Sequence, residues 1–252
     1  MNRRVVLPLL VLVAGTLFAT GCFRPARGPA PGSLAGRVIV LDPGHNGRNW
    51  SAPSVVNSLV FVGNGTKACD TTGTSTDSRL SESAYTFDVA IRTRAILEAA
   101  GATVVLTRPD DSGVGPCITE RAAIGNRAGA AVAVSIHADG GPAGGRGFHV
   151  IIPGPVPGYN DAMVAPSWRF GLKLRDSYNQ VSGMPVSTYV GRDGLSLRSD
   201  LGGLNLSTVP KVFIETGNMR NGEDAALLGD TEFRDRAAAG IAEGIGDFLN
   251  GG

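Results

Sequence analysis

The sequence predicts a single α/β domain in which a mostly parallel sheet carries helices on both faces. Two observations predict this class. Short apolar runs alternate along the chain with longer segments of helical periodicity, and such alternation implies right-handed crossovers between parallel strands. The 252 residues also show no internal repeat and no second domain, so one folded unit is expected.

The N-terminal segment is predicted to be an export signal rather than part of the fold. A short basic stretch at residues 2–4 precedes an uncharged apolar run at 5–20, which is typical of a signal peptide ending at residue 21. The run is too short, and too closely followed by loop sequence, for a membrane span. The small residues before Cys22 also resemble a bacterial lipoprotein cleavage box, so the alternatives are plain secretion and a lipid anchor through Cys22. Residues 22–36 are rich in Pro and Gly and predict a linker, and the folded domain is expected at 37–250.

The elements of the domain follow from their apolar patterns. Continuous apolar runs predict strands at 38–41, 103–107, 131–136, 147–152 and 211–214. Apolar residues spaced three or four apart predict helices at 82–100, 119–128, 168–180 and 232–248. Between the first strand and the first helix, residues 46–79 form a long polar loop in which 59–62 is a short strand or hairpin arm. A loop of that length is usually functional or disordered.

Charge and cysteine content narrow the function. The formal net charge is +1, without a basic cluster, which gives no electrostatic case for nucleic-acid binding. With Cys22 set aside, Cys69 and Cys117 remain. Because an exported protein meets oxidising conditions, we expect these two to form a disulfide, the alternative being two free thiols.

Two histidines and two glutamates occupy equivalent places in the predicted topology. His45 follows the first strand, His137 and Glu215 end two others, and Glu82 begins a helix. Ligands of such sheets collect beyond the carboxyl ends of the strands. Two imidazoles and one carboxylate suit zinc with an open position for water, and the other glutamate would serve as general base. The spacing leaves open which glutamate is the ligand.

Two further residues near these positions have simpler interpretations. The third histidine, His149, lies inside a predicted strand and is interpreted as a cross-strand or surface residue. Asp42 stands in an Asp-Pro-Gly turn and is most simply a turn former, the alternative being a structural group that supports the metal ligands.

The motifs around these residues resemble those of the zinc-dependent N-acetylmuramoyl-L-alanine amidases of bacterial cell walls. The similarity extends over about residues 37–248 and includes Arg121 with Asn126 in the helix at 119–128. The matching segments are VIVLDPGHNG (38–47), Glu82 with its helix, GATVVLTRPDD (101–111), SIHAD (135–139) and VPKVFIETGNMRNGEDAALL (209–228). The sequence departs from the family after His45, where the long loop holding Cys69 replaces the usual Gly-rich continuation.

The resemblance implies a central sheet of about six strands and a function. It assigns His45, Glu82 and His137 as ligands of one Zn²⁺ and Glu215 as the general base. The implied substrate is peptidoglycan, cut between the lactyl group of muramic acid and L-alanine of the stem peptide. The alternatives are another zinc-dependent cell-wall peptidase and a non-catalytic peptidoglycan-binding protein of the same fold. We also expect a monomer located in the periplasm or cell envelope.

Overall fold

The structure is a computed structural model, and it describes residues 28–251. The predicted signal peptide and Cys22 lie outside these residues. Within the described part of the chain, no helix is both long and apolar enough to cross a membrane.

Eight strands and seven α-helices are found in residues 28–251. The strands are β1 Val38–Pro43, β2 Leu59–Phe61, β3 Thr66–Ala68, β4 Thr103–Leu106, β5 Val132–Asp139, β6 His149–Pro153, β7 Leu195–Arg198 and β8 Lys211–Asn218. The helices are α1 Pro53–Val56, α2 Glu82–Ala99, α3 Ile118–Arg127, α4 Asp161–Ser182, α5 Gly202–Asn205, α6 Gly222–Gly229 and α7 Thr231–Gly251. Every predicted strand and helix is present. The strands β3 and β7 and the helices α1, α5 and α6 were not predicted. The helix α4 begins seven residues earlier than expected, because it continues through Pro166.

Six of the strands form one sheet in the order β4-β1-β5-β8-β6-β7. The first four of these are mutually parallel, whereas β6 and β7 run antiparallel to them and parallel to each other. The prediction of a mostly parallel sheet of about six strands is therefore confirmed.

Successive residues of a strand point to opposite faces of the sheet, and in this sheet the two faces differ in polarity. One face, which includes Ile39 and Leu41 of β1, belongs to the main core together with residues of α2, α4 and α7. The opposite face, which includes Val40 and Asp42, contacts α3 and α5 and has only a small apolar cluster. Polar and ionisable side chains can therefore be accommodated on this second face.

The segment 46–79 is ordered rather than open. It contains a short 3₁₀ helix, α1 and an antiparallel hairpin of β2 and β3, which confirms the predicted hairpin arm. A disulfide joins Cys69, just after the hairpin, to Cys117 at the start of α3. On its other side the hairpin is held to the β7–α5 connection, where Lys67 forms a salt bridge of 2.7 Å with Asp200. The hairpin is thus fixed beside the carboxyl ends of the parallel strands.

The last residues of the predicted linker pack against the domain. Leu34 is fully buried within the main core, and its backbone N–H donates to the carbonyl of Ala100. The packed chain therefore begins a few residues before the expected boundary at 37.

Candidate active site

Glu82 lies between the two histidines that the sequence singled out. Its Oε2 is 3.2 Å from Nε2 of His45, and its Oε1 is 2.9 Å from Nδ1 of His137. Glu82 is the first residue of α2, and the side chain of Ser81 caps that helix by accepting the N–H of Ala84. The helix start places the carboxylate over the end of β5, where the N–H of Ala138 also donates to it.

The donor atoms of these three residues fit one metal ion. One ligand atom from each of His45, Glu82 and His137 lies within 4.8 Å of the others. Tetrahedral zinc with bonds of about 2.0–2.1 Å places its donor atoms about 3.3 Å apart, so only small side-chain adjustments separate this arrangement from a zinc site. The structure therefore brings together all three residues that the resemblance assigned as ligands.

The electrostatics of this cluster favour a positive charge. Burial alone would raise the pKa of Glu82, but His45 and His137 outweigh it and hold the pKa well below its usual range. Burial alone would likewise lower the pKa of His45, yet the carboxylates of Glu82 and Asp70 raise it to about 10. Both shifts favour positive charge at this point, and a bound cation would take the place of the proton on His45, because a ligand carboxylate must be anionic and a ligand imidazole neutral.

His45 is held by contacts that the sequence did not reveal. Its Nδ1 lies 3.2 Å from Oδ1 of Asp70 and 3.2 Å from the carbonyl oxygen of Thr71. A ligand histidine usually donates its second ring N–H to such a group, which fixes the other nitrogen toward the metal. The backbone of His45 has φ 59°, a conformation uncommon outside glycine and often found at functional sites. Arg121 stabilises it by donating to the carbonyl of His45 at 2.7 Å.

Gly44 makes the close approach of the two histidines feasible. A Cβ at this position would lie 2.2 Å from Cε1 of His137. Any side chain there would displace the imidazole. The glycine of the DPGH segment is therefore required by packing against the opposite ligand.

Asp42 is the centre of a buried ion-pair network beneath the site. Its side chain is 1% exposed, with Nζ of Lys211 at 2.9 Å and Nη1 of Arg121 at 3.0 Å. Burial opposes ionisation, but Lys211 and Arg121 hold the pKa of Asp42 well below its usual range. The interpretation of Asp42 as a simple turn former is therefore wrong. Because Arg121 also bonds Asp70 at 3.1 Å, the network continues to His45.

Glu215 lies next to the three-residue cluster on β8. It pairs in register with His137 of β5 and faces the same side of the sheet. Burial, reinforced by the charges of Glu82 and Asp139, raises the pKa of Glu215 well above its usual range. Glu215 lines a cavity of about 330 Å³ together with Arg198, Asp139 and the three clustered residues.

A second, narrower cavity meets the first at the two histidines. It measures about 210 Å³; Leu201 and Phe213 line both cavities, whereas the apolar side chains of Ala68 and Ile118 line only this one. Glu215 lines the larger cavity but not this one. The cluster is therefore flanked by a polar cavity on one side and a more apolar cavity on the other.

The remaining residues noted in the sequence have structural contacts. Asn126 bonds the backbone of Leu206 and Thr208, which joins α3 to the segment before β8. His149 is buried beside Glu215, so its interpretation as a cross-strand residue is right and the surface alternative is wrong. Asp70 and Arg198 are the site residues that sequence reasoning missed. The one signal for Asp70 was its position beside Cys69.

Two imidazoles and a carboxylate at the strand ends of an α/β domain, with a second carboxylate nearby, are typical of metal-dependent hydrolases. Residues 39–247 match the N-acetylmuramoyl-L-alanine amidase family, and the chain belongs to that family. It is 42% identical over 219 residues to the N-acetylmuramoyl-L-alanine amidase Rv3717 of Mycobacterium tuberculosis, covering 87% of this chain and 89% of the relative.

Solved structures support the same assignment. The N-acetylmuramyl-L-alanine amidase Ami1 of Mycobacterium smegmatis matches with a TM-score of 0.82 at 43% identity, over 87% of this chain and 99% of that one. The apo form of Ami1 from Mycobacterium abscessus matches with a TM-score of 0.81 at 44% identity, over 86% of this chain and 100% of that one. The predicted family, the predicted fold and the function as a peptidoglycan amidase are confirmed.

Proposed function

We propose that this protein is a zinc-dependent amidase that hydrolyses the bond between the lactyl group of N-acetylmuramic acid and L-alanine in peptidoglycan. The observation that carries the proposal is the meeting of His45, Glu82 and His137 around one point, with Glu215 lining the same cavity, in a chain of this family.

The three clustered residues would hold the metal. Zinc bound by two imidazoles and one carboxylate keeps a position for water, lowers the pKa of that water toward about 7 and polarises a carbonyl oxygen. The Asp70 contact to Nδ1 of His45 supports this role, because it leaves Nε2 directed at Glu82.

Glu215 is the proposed general base and acid. A carboxylate in this position accepts the proton of the attacking water and passes it to the departing amine. The pKa of Glu215 is raised by burial and by the charges of Glu82 and Asp139, so the carboxyl retains a proton readily between the two steps.

The position of Glu215 also sets the direction of the substrate. The departing amine must lie on the side of the group that protonates it, which is the larger cavity with Arg198. The stem peptide would therefore occupy this cavity. Nε and Nη2 of Arg198 donate to Asp200, so Nη1 is the donor that would meet a carboxylate of the peptide. The lactyl side would extend toward the narrower cavity, where Ala68 and Ile118, which do not line the larger cavity, offer apolar contacts.

The proposed location follows from the N-terminal segment. A signal peptide at 1–21 would deliver the chain to the periplasm or cell envelope, either free or anchored through Cys22. The proposed working form is a monomer, because the residues for binding and chemistry all belong to one chain.

The test combines metal analysis with identification of the product. The purified protein is expected to contain one zinc per chain and to release peptides with a free L-alanine amino group from muropeptides, as seen by mass spectrometry. Glu215→Gln should keep zinc and lose turnover by a factor of about 10²–10⁴. Glu82→Ala should lose the zinc itself.

Three outcomes would contradict the proposal. Loss of zinc in Glu215→Gln with zinc retained in Glu82→Ala would mean that the two glutamates have exchanged roles. Cleavage within the stem peptide would identify another cell-wall peptidase. Zinc binding without any turnover of muropeptide would identify a binding protein.

A further inference from the structure

The third histidine of the chain lies directly beside Glu215. His149 begins β6, which is antiparallel to β8, and it pairs in register with Glu215. Residues directly opposite each other in antiparallel strands point to the same face, with Cβ atoms about 4.5–5.5 Å apart. His149 is 3% exposed, so its imidazole is buried next to the carboxyl of Glu215.

Both members of this pair have a buried polar atom without a partner. Within residues 28–251, five buried side-chain nitrogen or oxygen atoms lack a hydrogen bond, and two of them are Nδ1 of His149 and Oε2 of Glu215. Leaving such an atom unpaired is costly, so each instance in a folded protein calls for an explanation. Two such atoms on adjacent residues of one strand pair point to each other as partners.

The surroundings of His149 restrict where its ring can lie. The ring of Tyr189 stands edge-on to the imidazole at 6.4 Å, and its hydroxyl donates to Oδ2 of Asp139 at 2.9 Å. A Cβ at Gly141 or Gly145 would lie 2.4 or 2.6 Å from the Tyr189 ring, so these glycines pack closely against it. The packed ring of Tyr189 therefore limits the positions that the imidazole of His149 can take.

The protonation of His149 is compatible with a donor role toward an anion. Burial lowers the pKa of His149 to about 4, so the imidazole is neutral near pH 7. A neutral imidazole has one N–H donor and one acceptor nitrogen. The tautomer with the proton on Nδ1 presents that donor on the side of the ring whose partner is missing.

We propose that His149 is a positioning residue, whose Nδ1–H binds Oε2 of Glu215 directly or through one water and leaves Oε1 directed at the reaction centre. This inference rests on the proposed role of Glu215 as general base. A carboxyl held at one oxygen cannot rotate freely, and the correct placement of a catalytic group within about 1 Å is worth up to about 10²-fold in rate.

The test compares three substitutions at position 149 on a muropeptide substrate. His149→Asn keeps an amide N–H near the place of Nδ1, His149→Gln moves it farther out, and His149→Leu removes it. We expect kcat to fall about 10–100-fold in His149→Leu, less in His149→Gln and within about 5-fold in His149→Asn. KM and zinc content should stay within about 2-fold of wild type, because His149 is neither a proposed metal ligand nor a proposed substrate contact.

Ile152→Val is the matched control, since Ile152 also belongs to β6 and is buried, but packs in the main core on the opposite face of the sheet and lines neither cavity. Its kcat should equal that of the wild type. A wild-type kcat in His149→Leu, or a change confined to KM, would overturn the inference. If His149→Leu does not fold, the other two variants decide. The kcat of His149→Asn should exceed that of His149→Gln, and an equal or reversed order overturns the inference. Failure of the proposed function is distinct, because the wild-type protein itself would then lack zinc-dependent turnover.

Discussion

Replacing Asp42 by Asn tests whether the buried ion pairs beneath the site stabilise the fold. Asp42 accepts hydrogen bonds from two hydroxyl groups and two cationic side chains, namely those of Thr107, Ser135, Arg121 and Lys211. Asn has nearly the same shape but no charge. The substitution therefore leaves two buried cations in place while it removes the anion between them.

The expected loss of stability depends on which salt bridges Arg121 and Lys211 keep after the substitution. Arg121 keeps its salt bridge with Asp70 at 3.1 Å. Lys211 is 2% exposed, and among residues 28–251 its only salt bridge is the one with Asp42. Removing one partner of a buried ion pair costs about 3–5 kcal/mol because a buried charge is left uncompensated. We expect Asp42→Asn to lower the free energy of unfolding at pH 7 by this amount.

The effect should depend on pH with a definite sign. The pKa of folded Asp42 lies well below its usual range, whereas the unfolded value is about 3.9. The stabilisation is therefore present in full above about pH 4 and is lost as the pH falls toward the folded pKa. The difference in stability between wild type and Asp42→Asn should narrow below about pH 4.

Urea unfolding followed by circular dichroism at several pH values measures these quantities. Asp77→Asn is the control, because Asp77 is 86% exposed and pairs with Arg220 at the surface, where such pairs contribute little. A loss below about 1 kcal/mol in Asp42→Asn, or a stability difference that does not change with pH, would show that these buried ion pairs do not stabilise the fold.

Two further predictions concern the close packing at the site and the disulfide. Gly44→Ala should lose most of its zinc and turnover, since the new Cβ would lie 2.2 Å from Cε1 of His137, while Gly65→Ala, with no atom within 4 Å of its added Cβ, should keep both. Full zinc occupancy of Gly44→Ala would contradict this packing argument. Replacing Cys69 and Cys117 by Ser opens a loop whose ends are 48 residues apart and should lower the free energy of unfolding by about 4 kcal/mol. A change below about 1 kcal/mol in urea would show that the disulfide constrains the unfolded chain far less than chain entropy predicts.

The sequence was most informative where local pattern and burial coincide. The strand β1 could be predicted because a run of apolar residues is what a strand buried on both faces requires. The strand β7 was missed because its residues alternate and only Ser196 is buried, as is usual at the edge of a sheet. The early start of α4 was missed because Pro166 normally marks a helix end.

The amino-acid sequence alone specifies the residue types at the ends of the strands, since the polar residue that ends each apolar run is a local feature. It thereby determined that imidazoles and carboxylates would share one edge of the sheet. Which side chains meet within that edge depends on contacts between distant parts of the chain. Asp70 reaches His45 because the disulfide-linked loop returns to the first strand. His149 lies beside Glu215 because β6 pairs with β8, and strand order depends on packing between distant segments rather than on any local pattern.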